Sequence, residues 1–242
     1  RVHSLVGFGG HLFAGTSPKG RIYRWDGGQS EMVHQSRELG ITAMTEYRGA
    51  LYAGTYPEGL ILRSEDGEAW ESVLRTGQRF VNQLFAGKDS LYAACSHPAG
   101  GAVYRTGDGV IWDKCFHSEK DVNVFSLANF GGRLYAGTGD SGRLYSSRDG
   151  GTHWELTAVS PEAAIRVLAV HKGRMVVGCE QRGIIYRTAS TEAPLPKISG
   201  VKVTSLSSAV AVVEWGNDVP CDAILQYGVG QTRDQTVTNP TL

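Results

Sequence analysis

Five copies of one sequence unit follow one another along this chain and limit the folds open to it. The phrase LFAGT (12–16) recurs as LYAGT (51–55), LYAAC (91–95), LYAGT (134–138) and MVVGC (175–179), at offsets of 39, 40, 43 and 41 residues. An apolar residue lies seven positions before each phrase: Leu5, Met44, Leu84, Leu127 and Leu168. A glycine and another apolar segment follow each phrase, as in GRIYR (20–24) and GLILR (59–63). The regular spacing and conservative exchanges indicate one structural unit written five times.

Each unit has the pattern of four short β-strands. In the second copy these are ITAMTEY (41–47), ALYAGT (50–55), LILRSE (60–65) and AWESVLR (69–75), separated by turn residues. No segment shows a sustained period of 3.6, so we expect no helices. A period near 40 with four strands per unit predicts the blades of a β-propeller. We predict an all-β chain: a propeller of four-stranded blades, five visible and the last without its fourth strand, followed by a truncated β-sandwich. The blade total is five, or six to eight if further units exist.

The turn between the third and fourth strands carries a second repeated motif. The fourth copy reads Ser147-x-Asp149-x-Gly151-x-x-Trp154. The second copy has Ser64, Asp66, Gly67 and Trp70, the third has Thr106, Asp108, Gly109 and Trp112, and the first keeps only Asp26 and Gly27. The carboxylate and hydroxyl can accept backbone N–H groups, glycine can take positive φ, and tryptophan can cover the turn. Repetition at equivalent positions predicts a structural role for these residues rather than catalysis or metal binding.

This motif resembles the Asp-box, or BNR, repeat of sialidase-like propellers, and the resemblance covers about residues 1–190. It implies a propeller fold. It does not imply one activity, because the family includes sialidases, xyloglucanases, sortilin-type receptors and assembly factors. A sialidase needs an arginine triad, a Tyr–Glu nucleophile pair and an Asp acid/base. The arginines of this chain fall largely at one repeated third-strand position (Arg24, Arg63, Arg105, Arg187), which favours a structural role for them.

Candidate ligand-binding residues lie in the loops at the other end of the blades. The loops from strand two to three and from strand four to the next strand one share this end, which we call the loop face. Chemically diverse loops on a repeated frame are typical recognition sites. From the two-to-three loops we select Lys19, Tyr56, Glu58, His97, Asp140, Glu180 and Arg182. The starts of the first strands add His3, Thr42, Asn82, Phe125 and Arg166 near the axis.

The amino-acid composition limits the classes of partner and cofactor that we expect this chain to bind. Lys plus Arg and Asp plus Glu both number 24, so the formal net charge is zero, and neither nucleic acid nor an acidic membrane is predicted as a partner. Apolar runs such as AVAVV (209–213) are too short to cross a bilayer, so no membrane insertion is expected. The four cysteines (Cys95, Cys115, Cys179, Cys221) lack metal-ligand spacing, and we predict no metal and no cofactor. Blade geometry places Cys95, Cys115 and Cys179 beyond disulfide reach of one another.

The segment after the fifth repeat does not continue the repeated pattern. TASTEAPLPK (188–197) has the composition of a linker between a propeller at 1–187 and a second domain at 198–242. That second domain resembles the first half of a fibronectin type III domain, with an A strand, a B strand containing Trp215 and a C strand with Tyr227. The F and G strands are absent, so we expect the natural protein to continue beyond Leu242. Since the chain begins at Arg1 without a Met, we also expect an upstream portion.

We therefore favour a non-enzymatic binding or scaffold propeller, extracellular or at a cell surface, that recognises a glycan or a protein through its loop face. One alternative is a sialidase-like or related glycoside hydrolase, which would need two carboxylates about 5–10 Å apart. Glu58, Asp140 and Glu180 are the candidates for that pair. A second alternative is an intracellular assembly factor.

Overall fold

The computed structural model describes residues 1–188 in full, and the backbone of four strands at 198–206, 211–217, 223–227 and 235–239. Throughout these residues the regular elements are β-strands, and no helix occurs among them, so none is available to span a bilayer. The chain divides into two compact units, Arg1–Thr188 and Ala189–Leu242. Most of the expected linker (189–197) lies outside the described residues.

The first unit consists of five antiparallel sheets, one for each sequence repeat. Blade 1 contains β1 (Val2–Phe8), β2 (His11–Thr16), β3 (Arg21–Trp25) and β4 (Ser30–Gln35). Blade 2 contains β5 (Gly40–Tyr47), β6 (Ala50–Tyr56), β7 (Leu60–Ser64) and β8 (Glu71–Arg75). Blade 3 contains β9 (Phe80–Ala86), β10 (Leu91–Ser96), β11 (Gly101–Thr106) and β12 (Asp113–Ser118). Blade 4 contains β13 (Val124–Phe130), β14 (Arg133–Thr138), β15 (Arg143–Ser147) and β16 (Glu155–Val159). Blade 5 contains β17 (Ile165–His171), β18 (Arg174–Cys179) and β19 (Ile185–Arg187).

The blades are arranged around their first strands. Within each sheet the strands follow chain order, and the first strand of each blade contacts the first strand of the next. Every first strand pairs with the second through a register shift near its start, and the residue left out of the pairing is His3, Thr42, Asn82, Phe125 or Arg166. These are the five residues that the sequence predicted near the axis. A β-bulge at each position re-aims the side chain. The prediction of an all-β propeller with an incomplete fifth blade is confirmed.

Glycine in the second strand provides a socket for the next blade. A Cβ added to Gly15 would lie 2.6 Å from Ile41 Cγ2, and one added to Gly137 would lie 2.5 Å from Ile165 Cγ2. Because a methyl group there would clash, glycine at these positions is required by the β-branched residue of the following blade. Gly54 makes the same close approach to Val81, whereas in the third phrase the position is Ala94, which is fully buried. The contact therefore explains why glycine recurs at three of the four junctions.

The second unit contains two separate two-stranded sheets. β20 (Ile198–Leu206) pairs with β21 (Ala211–Asn217), and β22 (Ala223–Tyr227) pairs with β23 (Gln235–Asn239). Trp215 falls in β21 and Tyr227 ends β22. The fibronectin type III interpretation itself stays a prediction. In the first unit Cys95, Cys115 and Cys179 are free thiols.

Candidate functional site

A groove on the loop face is the candidate ligand site. Its volume is about 540 Å³, and its walls include His3 and Ser17 of blade 1, Leu39 of the connection to blade 2, Thr42 of β5, and Tyr56 and Phe80. The groove is therefore bordered by three consecutive blades. A volume of this size suits a small ligand or one or two units of a polymer.

An aromatic pair forms one wall of the groove. The rings of Tyr56, at the end of β6, and Phe80, at the start of β9, stack with centroids 4.1 Å apart and planes at 16°. Both side chains are half-buried, so each ring packs against the other and keeps part of its surface in contact with solvent. The sequence selected Tyr56 and missed Phe80. The available signal was an aromatic residue at a position that is Gly40, Asn123 and Ala164 in other blades.

Polar groups flank this wall. His3 Nε2 lies 2.6 Å from Ser17 Oγ, and both side chains border the groove. Thr42 Oγ1 donates to the carbonyl of Val81 in the next blade at 2.6 Å. The groove thus combines an apolar aromatic surface with an imidazole and hydroxyl groups.

The remaining bulge residues make contacts of their own. Asn82 Nδ2 donates to the carbonyl of Val124 at 2.7 Å, which joins blade 3 to blade 4. The guanidinium of Arg166 lies 3.8 Å from the centroid of Phe125 and bonds Glu180 Oε2 at 2.6 Å. The hydrogen bond from Arg166 lowers the pKa of Glu180 below its ordinary value. Arg166, predicted near the axis, and Glu180, predicted in a loop, are thus brought together.

The other predicted loop residues lie on the loop face but outside the groove walls. Glu58 forms an ion pair with Arg75, and Asp140 Oδ2 accepts from Asn123 Nδ2 at 3.0 Å. His97 Nδ1 accepts the backbone N–H of Ala99 at 3.0 Å. Two more positions complete the predicted set: Arg182, which bonds Glu162, and Lys19, which has φ of 90°.

A buried polar residue in each blade-to-blade connection is a repeated feature that sequence reasoning missed. We call it the clasp position; it is Glu38, Gln78, Asp121 and Glu162 in blades 2 to 5. Glu38 Oε2 accepts from the backbone N–H of Glu58 at 2.8 Å and from Thr55 Oγ1 at 3.2 Å. It thereby holds the loop that carries Tyr56. At this clasp position, Glu38 therefore helps to fix the wall of the groove that Tyr56 forms.

Among the residues at the clasp position, Asp121 accepts the largest number of side-chain hydrogen bonds. Its side chain is fully buried, and its oxygens accept from Ser141 Oγ at 2.9 Å, Tyr145 OH at 2.9 Å and Arg143 Nη1 at 3.1 Å. Burial alone would raise the pKa of Asp121, but hydrogen bonds led by Ser141 and Tyr145 lower it below its ordinary value. The buried charge is therefore fully hydrogen-bonded.

The clasp position has a sequence signature. A hydroxyl residue precedes it by two or three positions and accepts its backbone N–H: Ser36 for Glu38, Thr76 for Gln78, Ser118 for Asp121 and Ser160 for Glu162. The same connection bonds the preceding blade, since Ser36 N donates to Gly20 O and Ser160 N donates to Gly142 O. Comparing repeats for polar as well as apolar positions would have found this motif.

The aspartate hairpins, defined as the β3–β4, β7–β8, β11–β12 and β15–β16 turns, lie at the opposite end of the blades. In each, one carboxylate oxygen accepts two successive backbone N–H groups: Asp26 from Gly28 and Gln29, Asp66 from Glu68 and Ala69, Asp108 from Val110 and Ile111, Asp149 from Thr152 and His153. Ser64, Thr106 and Ser147 donate to the aspartate of their own hairpin. These backbone bonds lower the pKa of all four carboxyl groups.

Each of the later hairpins also contacts the preceding blade. Gly67 lies against the ring of Phe13, and Gly109 lies against Tyr52. Trp70 Nε1 donates to Gly67 O at 3.1 Å and so covers its own turn. Trp112 packs edge-on against Tyr52 with ring centroids 6.5 Å apart, and Trp154 Nε1 donates to Gly151 O at 2.9 Å. The hairpins join neighbouring blades at the end away from the groove.

Third-strand arginines contribute to the same junctions. Arg24 of blade 1 bonds Glu68 in the blade 2 hairpin at 2.6 Å. Arg105 of blade 3 donates to Gly150 O in the blade 4 hairpin at 3.0 Å. Arg63 instead bonds Glu65 of its own hairpin at 2.7 Å. These contacts support a structural role for the repeated arginine position.

Comparison with known proteins identifies the fold. Neither a protein-family model nor a curated protein sequence matches the chain. Among solved structures, the chain is similar to the extracellular domain of BT4673 from B. thetaiotaomicron, with a TM-score of 0.62, 15% identity, and coverage of 80% of this chain and 27% of that one. It is also similar to the WD40 β-propeller domain of Doa1, with a TM-score of 0.60, 11% identity, and coverage of 77% and 64%.

A third similar structure is a chain of the nidogen–laminin complex, with a TM-score of 0.57, 10% identity, and coverage of 77% of this chain and 74% of that one. The present chain thus spans about a quarter of the BT4673 domain and larger shares of the other two. At these identities the likeness concerns the fold, and the fold is that of a β-propeller.

Proposed function

We propose that this chain is a non-enzymatic binding propeller that recognises a carbohydrate in the loop-face groove. The observation that carries the proposal is the stacked Tyr56–Phe80 pair at the wall of a cavity of about 540 Å³. A sugar ring has an apolar C–H face and a polar rim of hydroxyl groups. An aromatic wall beside His3 and Ser17 matches both parts of such a ligand.

The loop carboxylates favour binding over hydrolysis. A glycosidase needs one carboxylic acid to donate a proton and a second carboxylate as base or nucleophile. Of the three candidates, Glu58 pairs with Arg75 and Glu180 pairs with Arg166. Asp140 accepts from Asn123. Each of these groups is thus engaged in the loop architecture, and none of the three borders the groove in the described part of the chain.

Three further assignments belong to this proposal. The hydroxyl–aspartate–glycine–tryptophan hairpins support membership of the Asp-box (BNR) propellers. Residues 198–242 would be part of a fibronectin type III-like domain, joined to the propeller by 188–197. An extracellular or cell-surface location is supported by the likeness to a domain described as extracellular, that of BT4673.

The test is direct binding. The purified chain is applied to an array of diverse glycans, and the strongest ligand is titrated by calorimetry against wild-type protein and the variants Tyr56→Ala and Phe80→Ala. Removing either ring takes away part of the stacking surface, so we expect affinity to fall at least about tenfold. Ile111→Ala is the matched control, because Ile111 is exposed on a hairpin at the opposite end of the blades.

The outcomes separate the alternatives. Binding that survives both aromatic substitutions would place the site elsewhere. Retention of peptides from a displayed library, with no glycan retained, would replace carbohydrate by protein as the ligand class. Turnover of an aryl glycoside by the wild-type chain would establish the hydrolase alternative.

A further inference from the structure

The two ends of the blade arc expose positions that are buried at every internal junction. Leu5 of blade 1 is 60% exposed, whereas its counterparts Met44, Leu84, Leu127 and Leu168 are 1–8% exposed. Ile185 of blade 5 is 71% exposed, whereas its counterparts Ile22, Ile61, Val103 and Leu144 are 0–7% exposed. Within residues 1–188, the end blades therefore present, without a neighbouring blade, the surfaces that are buried between internal blades.

The glycine socket described above is empty on blade 5. Gly178 is the counterpart of Gly15 and Gly137, but the nearest atoms to a Cβ added to it belong to Val167 of its own blade, the first at 3.6 Å. At the other end of the arc, Val2 is the counterpart of the socket-filling Ile41 and is exposed. In the part of the chain whose side chains are described, blade 5 thus keeps a socket without its β-branched residue, and blade 1 keeps a β-branched residue without its socket.

The first aspartate hairpin lacks its neighbour as well. Gly27 has φ of 104°, like the other hairpin glycines, yet a Cβ added to it would meet no atom within 4 Å. Its counterparts Gly67 and Gly109 press against Phe13 and Tyr52 of the preceding blade. Blade 1 therefore has a hairpin suited to receive an aromatic ring.

We propose that these open faces are docking faces for further blades of the same repeat, so that blades 1 to 5 form an arc of a larger ring. The internal junctions indicate which residue types the covering blades would present. The blade that covers blade 1 presents an aromatic residue at the position of Phe13 and Tyr52. The blade that covers blade 5 presents a β-branched residue at the position of Ile41. A second copy of this chain fits less well, because its blade 5 would offer Val176 to the Gly27 hairpin instead of an aromatic ring.

The experiment adds one blade to the arc. A copy of residues 40–79, which contains blade 2 and its connection, is fused before Arg1, so that the Tyr52 and Ile61 face of the copy lies against blade 1 in the register of the internal junctions. Leu5→Cys, in a Cys221→Ser background, reports the exposure of the blade 1 face through its rate of maleimide labelling. We expect the fusion to slow this labelling at least about tenfold, because reaction then requires the junction to open.

Two controls fix the interpretation. A fusion carrying Tyr52→Asp and Ile61→Asp in the added copy only should label as fast as the unfused chain. Ile185→Cys, at the far end of the arc, should label equally fast with and without the added blade. Rapid labelling of Leu5→Cys in the intact fusion would overturn the proposal. Slow labelling in the unfused chain, together with a dimeric mass, would show that the occupant is a second copy and would also overturn it.

Discussion

Asp121 and Arg143 form an ion pair of 3.1 Å in which the carboxylate is fully buried and the guanidinium is partly exposed. Asp121 lies in the connection from blade 3 to blade 4, and Arg143 is the first residue of β15 in blade 4. The pair therefore attaches the connection to the start of β15, next to the two-to-three loop, and its loss should loosen the loop face.

We expect Asp121→Ala to lower the free energy of unfolding by about 3 kcal/mol, because several buried donors lose their acceptor. Urea denaturation followed by circular dichroism measures the change. Asp121→Asn is the matched control and should cost less than half as much, since an amide keeps an acceptor oxygen and Gln78 occupies the same position in blade 3. Equal losses for both variants would show that charge, not hydrogen bonding, holds the clasp.

The hairpin glycines allow backbone strain to be separated from packing. Gly67→Ala places a methyl group against the ring of Phe13 at φ of 82°, whereas Gly27→Ala has a similar positive φ with open space around it. We expect Gly27→Ala to cost about 1 kcal/mol and Gly67→Ala to cost a further 1–3 kcal/mol, about the usual range for overpacking. Thermal or urea unfolding of the two variants measures the difference. Equal costs would mean that the hairpin does not press on the preceding blade.

The lowered pKa values of the hairpin aspartates predict acid sensitivity. A carboxyl group whose pKa is lower in the folded state than its ordinary value of 3.8 contributes stability that is complete above pH 3.8 and is lost as the pH falls through the folded value. Asp121 adds to this effect in the same direction. We therefore expect the urea midpoint to be nearly constant between about pH 7 and 5 and to fall steeply below about pH 4.

Asp149 provides a single-site check of the same effect. The backbone N–H and the imidazole of His153 and the hydroxyl of Ser147 lower its pKa. Asp149→Ala should lower the melting temperature by a few degrees at neutral pH, about the shift of one lost hydrogen-bonded turn, without changing ligand affinity at the far end of the blades. At pH 3 the difference from wild type should shrink. Lost binding with an unchanged melting temperature would reverse the structural assignment of this residue.

The Thr42 hydroxyl links the groove to a blade junction. Thr42→Val removes the donor to Val81 O while keeping the side-chain volume, and we expect a loss of about 1–2 kcal/mol in unfolding free energy. Thr42→Ser retains the hydroxyl and should be close to wild type. The two variants compared by urea denaturation give the value of the hydrogen bond. If both cost the same, the methyl group of threonine would contribute as much to stability as its hydroxyl group.

The sequence predicted the blades closely because apolar periodicity and turn residues repeat with the fold. The four strands expected around Met44 are found as β5 to β8. The aspartate hairpins were also recognisable, since residue type and spacing together encode a local turn. The five residues predicted near the axis from alignment alone are the ones at which the register shifts occur, and their position near the axis stays a prediction.

The groove was harder to predict because it depends on contacts between blades. Phe80 becomes part of a site only when it stacks on Tyr56, which is 24 positions away in the preceding unit. The clasp position was missed because Glu38, Gln78 and Asp121 differ in residue type, although they share burial and a hydroxyl partner. Charged loop residues such as Glu58 and Arg182 looked available in the sequence, but long-range ion pairs engage them.

The groove is bordered by three successive blades, with Ser17 in the first, Tyr56 in the second and Phe80 in the third. A molecule bound there would contact all three blades and so bridge two blade junctions, that between blades 1 and 2 and that between blades 2 and 3. Ligand binding and the packing of these blades would then be thermodynamically linked. Separation of the blades would lower the affinity for the ligand, and the bound ligand would oppose that separation.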